Sequence, residues 1–150
     1  MKSNIKTAVI IFLIVGAIGF IDATYLTIEH YRGGIPPCTI KGCEVVLTSI
    51  YSQISGIPVA LFGSLYYLTL LILAIAYLDS KKKEIIKFAS YFTIAGFVAS
   101  VYFLYLQIFV IKAICQYCLA SAGISTTLFI LGMYILAKIR HESVAYSEEV

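Results

Sequence analysis

Four cysteines carry the clearest chemical signal in this chain, because they fall into two close pairs. Cys38 and Cys43 have four residues between them, whereas Cys115 and Cys118 have two. A C-x-x-C spacing within a helix places both sulfurs on one face, at a separation that a disulfide tolerates. Two close thiol pairs indicate thiol–disulfide redox work if they lie in an oxidising compartment, where disulfides form and persist.

The two sulfurs of the second pair are expected at different depths. Cys115 is predicted in the first turn of the last helix, where the helix dipole stabilises a thiolate and Lys112 lies close by. Cys118 lies about 4.5 Å deeper, from a rise of about 1.5 Å per residue. One sulfur then faces the water interface and the other faces the apolar layer. A relay from a water-soluble thiol to a lipid-soluble acceptor needs this arrangement.

The cysteines also fit three different roles. A C-x-x-C pair is half of many zinc sites, although the first pair here is C-x4-C on a segment rich in glycine and proline. The disulfides could be structural staples, which suits Cys38–Cys43 better, because a disulfide inside one helical turn closes almost no loop. The chain could also be a small transporter or a scaffold with incidental thiols.

The composition indicates a membrane protein. The 150 residues are 61% hydrophobic and 13% charged, with a mean hydropathy of +0.95. A soluble domain carries roughly a quarter of its residues charged, so lipid must cover most of this surface. The length predicts a single domain over residues 1–150. The net charge of +3 is too small to argue for a nucleic-acid partner.

Four apolar runs are each long enough to cross a bilayer, which takes about 20 residues. The fold class predicted from them is an all-α membrane protein, a four-helix transmembrane bundle. The predicted helices cover residues 7–29, 57–78, 85–111 and 113–138, and an outer loop covers residues 30–56.

The distribution of basic residues predicts the orientation in the cell membrane. Eight basic residues flank one side of the bundle and three flank the other. The larger group is Lys2, Lys6, Lys81, Lys82, Lys83, Lys87, Lys138 and Arg140, and the smaller group is Arg32, Lys41 and Lys112. Because basic residues stay in the cytoplasm, both termini are expected inside and both cysteine pairs on the extracytoplasmic side.

The outer loop is predicted to be a mobile arm followed by a short interfacial helix. Gly33-Gly34 and Pro36-Pro37 deny regular structure before Cys38, and Gly42 loosens the chain before Cys43. Apolar residues at helical spacing then predict a helix over residues 44–53 lying on the bundle. Pro58 suits the first turn of the second long helix.

These motifs together resemble the vitamin K epoxide reductase family, and its prokaryotic members in particular. The resemblance is carried by the two cysteine pairs, Ser49, the Gly56-Ile-Pro-Val-Ala-Leu-Phe-Gly63 segment, Tyr25-Leu26-Thr27 and His30. It covers residues from about 10 to 138. It implies a quinone-dependent thiol oxidoreductase that supports disulfide formation.

The resemblance implies a role for each cysteine. Cys38 would exchange with a soluble thiol partner, Cys43 would pass electrons to Cys115, and Cys118 would face a quinone of the menaquinone, ubiquinone or vitamin K type. No metal is expected. The partner implied is a thioredoxin-like (DsbA-like) extracytoplasmic protein. It is expected to be a separate chain, because residues 138–150 form only a short polar tail.

The resemblance also implies quinone-contacting positions, namely Leu47, Ser49, Val59 and Ala122. Animal members carry an aromatic residue at the first of these positions, an Asn at the third and a Tyr at the fourth. Because these three positions are apolar here, plain quinone reduction is expected rather than epoxide reduction.

Two more polar residues are candidates. Asp22 lies inside a predicted span, where an ionisable residue is a functional candidate by default, although a structural carboxylate fits as well. His30 could shuttle a proton to a reduced quinone, but an interfacial histidine also serves as an anchor.

Overall fold

The computed structural model describes the backbone of residues 2–148 and the side chains of residues 4–145. Its long helices are α1 (Lys2–Arg32), α3 (Val59–Ser80), α4 (Lys83–Tyr105) and α5 (Gln116–Glu148). Each contains an apolar stretch long enough to cross a membrane, which makes four candidate spans among the described residues. The predicted four-helix membrane bundle is therefore confirmed.

Apolar side chains cover the outside of the bundle as well as its inside. Ile21, Phe109 and Ile130 are 68%, 64% and 62% exposed, respectively. A helix that is apolar on all its faces is suited to lipid rather than to water. The outer surface of the helices therefore fits the hydrocarbon layer.

The core forms where α1 packs against α3 and α5, and α4 packs against α5 and α3. Tyr67 on α3 is among its largest fully buried side chains. Its ring lies against Gly19 on α1, where a β-carbon would approach the ring to 2.6 Å. Small residues allow such close helix contacts in membranes, where packing rather than the hydrophobic effect holds helices together.

The outer loop differs from its prediction. The helix predicted over residues 44–53 is wrong as a single element, because helix α2 covers only Cys43–Leu47 and a 3-10 turn follows at Ile50–Ser52. The hydroxyl of Thr48 donates to the carbonyl of Glu44 at 2.6 Å, and that of Ser49 donates to the carbonyl of Val46 at 2.7 Å. Such side-chain bonds compete with helix continuation.

A small hairpin joins the loop to α3. Strand β1 (Gln53–Ile54) pairs antiparallel with β2 (Ile57–Pro58). Ser55 and Gly56 both have positive φ, 53° and 82°, as a two-residue hairpin turn of the primed kind requires. Pro58 precedes α3 rather than lying in its first turn, because it pairs in this hairpin.

The ends of the last two long helices also differ from the prediction. After α4 the chain continues as a π-helix (Leu106–Ile111) that ends at Lys112, whose φ of 55° is left-handed. Helix α5 therefore begins at Gln116 instead of residue 113. It also continues through the predicted polar tail to Glu148, with Lys83 paired to Glu142 at 3.5 Å. Residues 149 and 150 of that tail lie outside the described range.

Candidate active site

The first cysteine pair forms a disulfide at the start of α2. Cys38 and Cys43 are bonded, with their Cα atoms 6.3 Å apart. Cys43 is the first residue of α2 and is 1% exposed, whereas Cys38 on the arm is only partly buried. Cys38 is therefore the more accessible residue of the two.

The second pair meets the first in one buried cluster. Cys43 and Cys115 belong to it, together with Val46 of α2, and Cys115 is 0% exposed. Cys38 and Cys118 pack against this cluster from its edges. Cys115 and Cys118 are both free thiols. The C-x-x-C segment is thus packed onto the arm disulfide, as a relay between the two pairs requires.

Gly42 allows this contact. Its φ is 124°, and a β-carbon there would lie 3.2 Å from the carbonyl oxygen of Ile114 and 3.4 Å from the β-carbon of Ala113. A side chain would push the arm away from the segment that precedes α5. The sequence predicts that Gly42 loosens the chain, whereas its role in the structure is close packing.

The two residues between Cys115 and Cys118 hold the arm on either side of Cys38. The backbone N–H of Thr39 donates to Gln116 Oε1 at 3.0 Å. The hydroxyl of Tyr117 donates to the carbonyl oxygen of Pro37 at 2.9 Å. These two hydrogen bonds, here called the arm clamp, tie the arm directly to the C-x-x-C segment.

Cys115 itself lies just before α5, so its predicted place in the first helical turn is wrong. Its carbonyl accepts the N–H of Leu119 at 3.0 Å, the bond that opens the helix. Its own N–H donates to Oε1 of Gln107 at 3.1 Å, and Gln107 is 4% exposed on the π-helix. Cys115 therefore remains at the positive end of the α5 dipole.

The pKa of the Cys115 thiol is held below the usual range for a thiol. The main cause is a hydrogen bond from the side chain of Cys118, which favours the thiolate against the opposing effect of burial. The backbone N–H groups of Cys118 and Tyr117 act in the same direction. A thiolate is the form that attacks a disulfide, so Cys115 is the more reactive sulfur of its pair.

Cys118 faces a large apolar cavity rather than open lipid. The cavity has a volume of about 670 Å³ and is bounded by the outer loop and by α1, α3, α4 and α5. Cys118 forms part of its wall, and the remaining three cysteines do not. Ligand sites usually enclose about 300–1,000 Å³ with mainly apolar walls, so the cavity is large enough for a quinone ring.

All the positions that the resemblance assigned to quinone contact lie in this wall, namely Leu47, Ser49, Val59 and Ala122. Leu47, Val59 and Ala122 are apolar, and the hydroxyl of Ser49 is already bonded to the Val46 carbonyl. These side chains shape the cavity more than they offer it free polar groups.

Polar atoms without partners do occur elsewhere in the wall. Asp22 and His30 both line the cavity. Asp22 Oδ2, the Tyr66 hydroxyl and the Ser125 hydroxyl are buried and have no hydrogen-bond partner of acceptable geometry, and all three residues line the same cavity.

Several site residues were not predicted from the sequence: Gln107, Gln116, Tyr117, Tyr66 and Ser125. Gln107 does give a signal in the sequence, because a glutamine inside an apolar span is unusual. The residue to which it bonds depends on the fold and is not visible in the sequence. Among residues 4–145, no three His, Cys, Asp or Glu side chains lie together as a metal site would need.

Comparison with known proteins relates most of the chain to a single family. The model described as the Vitamin K epoxide reductase family matches residues 10–133. A search of curated proteins finds no match.

Proposed function

We propose that this protein, which belongs to the vitamin K epoxide reductase family, oxidises thiols of a thioredoxin-like extracytoplasmic protein and reduces a membrane quinone. The family establishes the broader activity, a membrane thiol–disulfide oxidoreductase linked to quinone. The observation that carries the finer proposal is the position of the second pair. Cys115 packs against the arm disulfide, while Cys118 faces the cavity.

Electrons enter at Cys38 in this proposal. A thiolate of the partner attacks the Cys38 sulfur and releases the Cys43 thiolate, and the partner's second thiol then displaces Cys38. The partner leaves with a disulfide and the arm holds two thiols. The greater exposure of Cys38 supports this order, because Cys43 is buried against the segment that precedes α5.

Transfer to the second pair then proceeds through Cys43 and Cys115. The Cys43 thiolate attacks Cys115 in a Cys115–Cys118 disulfide and releases Cys118. Cys38 attacks Cys43 next, which restores the arm disulfide and releases Cys115 as a thiolate. The arm disulfide with free Cys115 and Cys118 corresponds to the stage that follows this step.

The last step returns Cys115 and Cys118 to a disulfide. Because Cys115 enters this step as a thiolate, their oxidation releases two electrons and the one proton of Cys118. A quinone of the menaquinone, ubiquinone or vitamin K type accepts them, together with a second proton from outside the pair, as it becomes a hydroquinone. Cys118 is the sulfur in contact with the quinone in this proposal, because it alone of the four cysteines lines the cavity. Leu47, Val59 and Ala122 would pack on the ring.

A quinone-reduction assay with a generic dithiol donor tests the activity. We expect turnover by the purified protein and loss of quinone reduction in Cys118→Ala. The same variant should keep disulfide exchange between Cys38–Cys43 and a soluble thiol, since the arm is unchanged. Comparable quinone reduction by Cys118→Ala would show that another group meets the quinone.

The orientation is part of the proposal. The basic residues support cytoplasmic termini and extracytoplasmic cysteines in the cell membrane. An impermeant thiol reagent should label reduced Cys38 and Cys43 on intact cells. Labelling that needs the inner face to be opened would contradict this orientation.

A further inference from the structure

The polar atoms without partners are concentrated at one place in the bundle. Among the described side chains, the buried atoms without a well-formed hydrogen bond are Asp22 Oδ2, the Tyr66 hydroxyl and the Ser125 hydroxyl. The Tyr66 and Ser125 side chains lie close enough to interact with each other. The three atoms come from α1, α3 and α5, and all three residues line the cavity that Cys118 lines. Buried polar groups normally make well-formed hydrogen bonds, so three poorly satisfied groups on one wall require a physical cause.

The buried hydroxyls of α4 show what is ordinary in this bundle. Ser90 donates to the carbonyl of Ile86 at 2.8 Å, and Thr93 donates to that of Ser90 at 2.6 Å. Ser125 is equally well buried, at 2% exposed, yet it makes no such bond. Its hydroxyl lies beside that of Tyr66 instead, and both residues line the cavity.

The depth of this group of atoms suits a ring in contact with Cys118. Ser125 follows Cys118 by seven residues on α5, a distance of about 10 Å along the axis. Ser121 lies between them, and its carbonyl and hydroxyl oxygens are both engaged by the Tyr67 hydroxyl at 3.0 Å. One van der Waals contact, one quinone ring and one hydrogen bond together fill about 10 Å.

We propose that Asp22, Tyr66 and Ser125 are the polar end of the quinone site. The two hydroxyls donate hydrogen bonds to the ring oxygen that is farther from Cys118, and the Asp22 carboxyl group supplies a proton to that oxygen. The inference rests on the proposed quinone reduction. It provides the polar anchor that the apolar Val59 and Ala122 lack.

The protons balance in this arrangement. Oxidation of the Cys115 thiolate and the Cys118 thiol to a disulfide releases two electrons and one proton, whereas the quinone takes up two of each. Cys118 supplies one of these protons, Asp22 in its acid form donates the other to the ring oxygen, and Asp22 is then reprotonated from water at the outer end of the bundle. Asp22 and Cys118 line the same cavity. An unpaired buried carboxyl group favours the neutral acid, because the ion would lack solvation.

Removing an orphan hydroxyl has an effect that separates a ligand contact from a structural one. Tyr66→Phe and Ser125→Ala delete hydroxyls that interact only weakly, with each other, in the quinone-free protein, so the unfolding temperature without quinone should change little. The affinity for a short-chain benzoquinone, measured by equilibrium dialysis, should fall about threefold to tenfold in each variant. Ser90→Ala is the matched control, with lowered stability and unchanged affinity.

Asp22→Asn tests the proton separately. It keeps the size and polarity of the side chain and removes its acidity. We expect KM for the benzoquinone to stay within about threefold of the wild type, while kcat falls about 100-fold or more, the range lost with a general acid. A rise in KM with kcat unchanged would show that Asp22 contributes to binding only and would refute the proton role.

The outcomes separate the two proposals. If the wild-type protein reduces no quinone, the proposed function fails and this inference fails with it. A second outcome is that the wild type reduces quinone and all three variants, Tyr66→Phe, Ser125→Ala and Asp22→Asn, bind and reduce the benzoquinone equally well. That outcome refutes the polar end of the quinone site and leaves the proposed function standing. Should Tyr66→Phe fold poorly, Ser125→Ala and its control Ser90→Ala still decide the matter.

Discussion

Breaking the arm clamp should release the arm from α5 by a calculable amount. The double variant Gln116→Ala/Tyr117→Phe removes the acceptor for the Thr39 N–H and the donor to the Pro37 carbonyl, bonds of 3.0 and 2.9 Å. A net contribution of about 0.5–1 kcal/mol each is reasonable for exposed hydrogen bonds. Together they give about 1–2 kcal/mol, so the equilibrium for arm opening should rise about 5-fold to 30-fold.

Cys43 reports this opening, because it is 1% exposed while the arm is docked. In a Cys38→Ser background its thiol is free, and its alkylation rate follows the open fraction of the arm. Mass spectrometry of the Cys43 peptide should show a rate about 5-fold to 30-fold higher in the Gln116→Ala/Tyr117→Phe variant. Tyr31→Phe, on an exposed tyrosine at the end of α1, is the control and should leave the rate unchanged. A change smaller than about twofold in the double variant would show that the two hydrogen bonds do not hold the arm.

Three further predictions concern the cysteines and their support. A Cys38→Ser/Cys118→Ser variant should accumulate a Cys43–Cys115 disulfide under oxidising conditions. The variant lacking Cys43 and Cys118 should trap a Cys38–Cys115 disulfide poorly. If non-reduced peptide maps show both disulfides trapped equally, the proposed order of transfer is refuted. The lowered pKa of Cys115 means that its thiolate persists below the usual thiol pKa, and Cys118→Ala removes the main cause. Ultraviolet thiolate absorbance should therefore titrate at higher pH in Cys118→Ala, and an unmoved titration would show that the Cys118 bond is not the cause. Gly42→Ala should open the arm, because its φ of 124° and close packing exclude a β-carbon; unchanged alkylation of Cys43 in the Cys38→Ser background would contradict this.

The membrane architecture and the type of chemistry were predictable because both depend on local properties. The length of an apolar segment decides whether it can span a bilayer, whatever its neighbours are. The spacing of Cys115 and Cys118 predicts that one sulfur lies deeper than the other, and Cys118 does line the cavity while Cys115 does not. The resemblance that the motifs indicate agrees with the family model, which matches residues 10–133.

Element boundaries were less predictable where side chains compete with the backbone. Apolar spacing alone extended α2 to residue 53, but the hydroxyls of Thr48 and Ser49 bond to helix carbonyls and end it at Leu47. The start of α5 moved to Gln116 because the π-helix and the bond from Gln107 hold the preceding segment out of the helix.

Only the tertiary structure decided which polar residues share a site. Asp22, Tyr66 and Ser125 lie on three different helices, and nothing in the sequence sets Tyr66 apart from Tyr67 or Ser125 from Thr126. Their convergence on one cavity depends on how each helix is rotated about its axis. That rotation is set by contacts such as Tyr67 against Gly19, which form only when α1 and α3 pack together. Sequence spacing defines the face of a helix on which a residue lies, whereas packing between helices decides what that face meets.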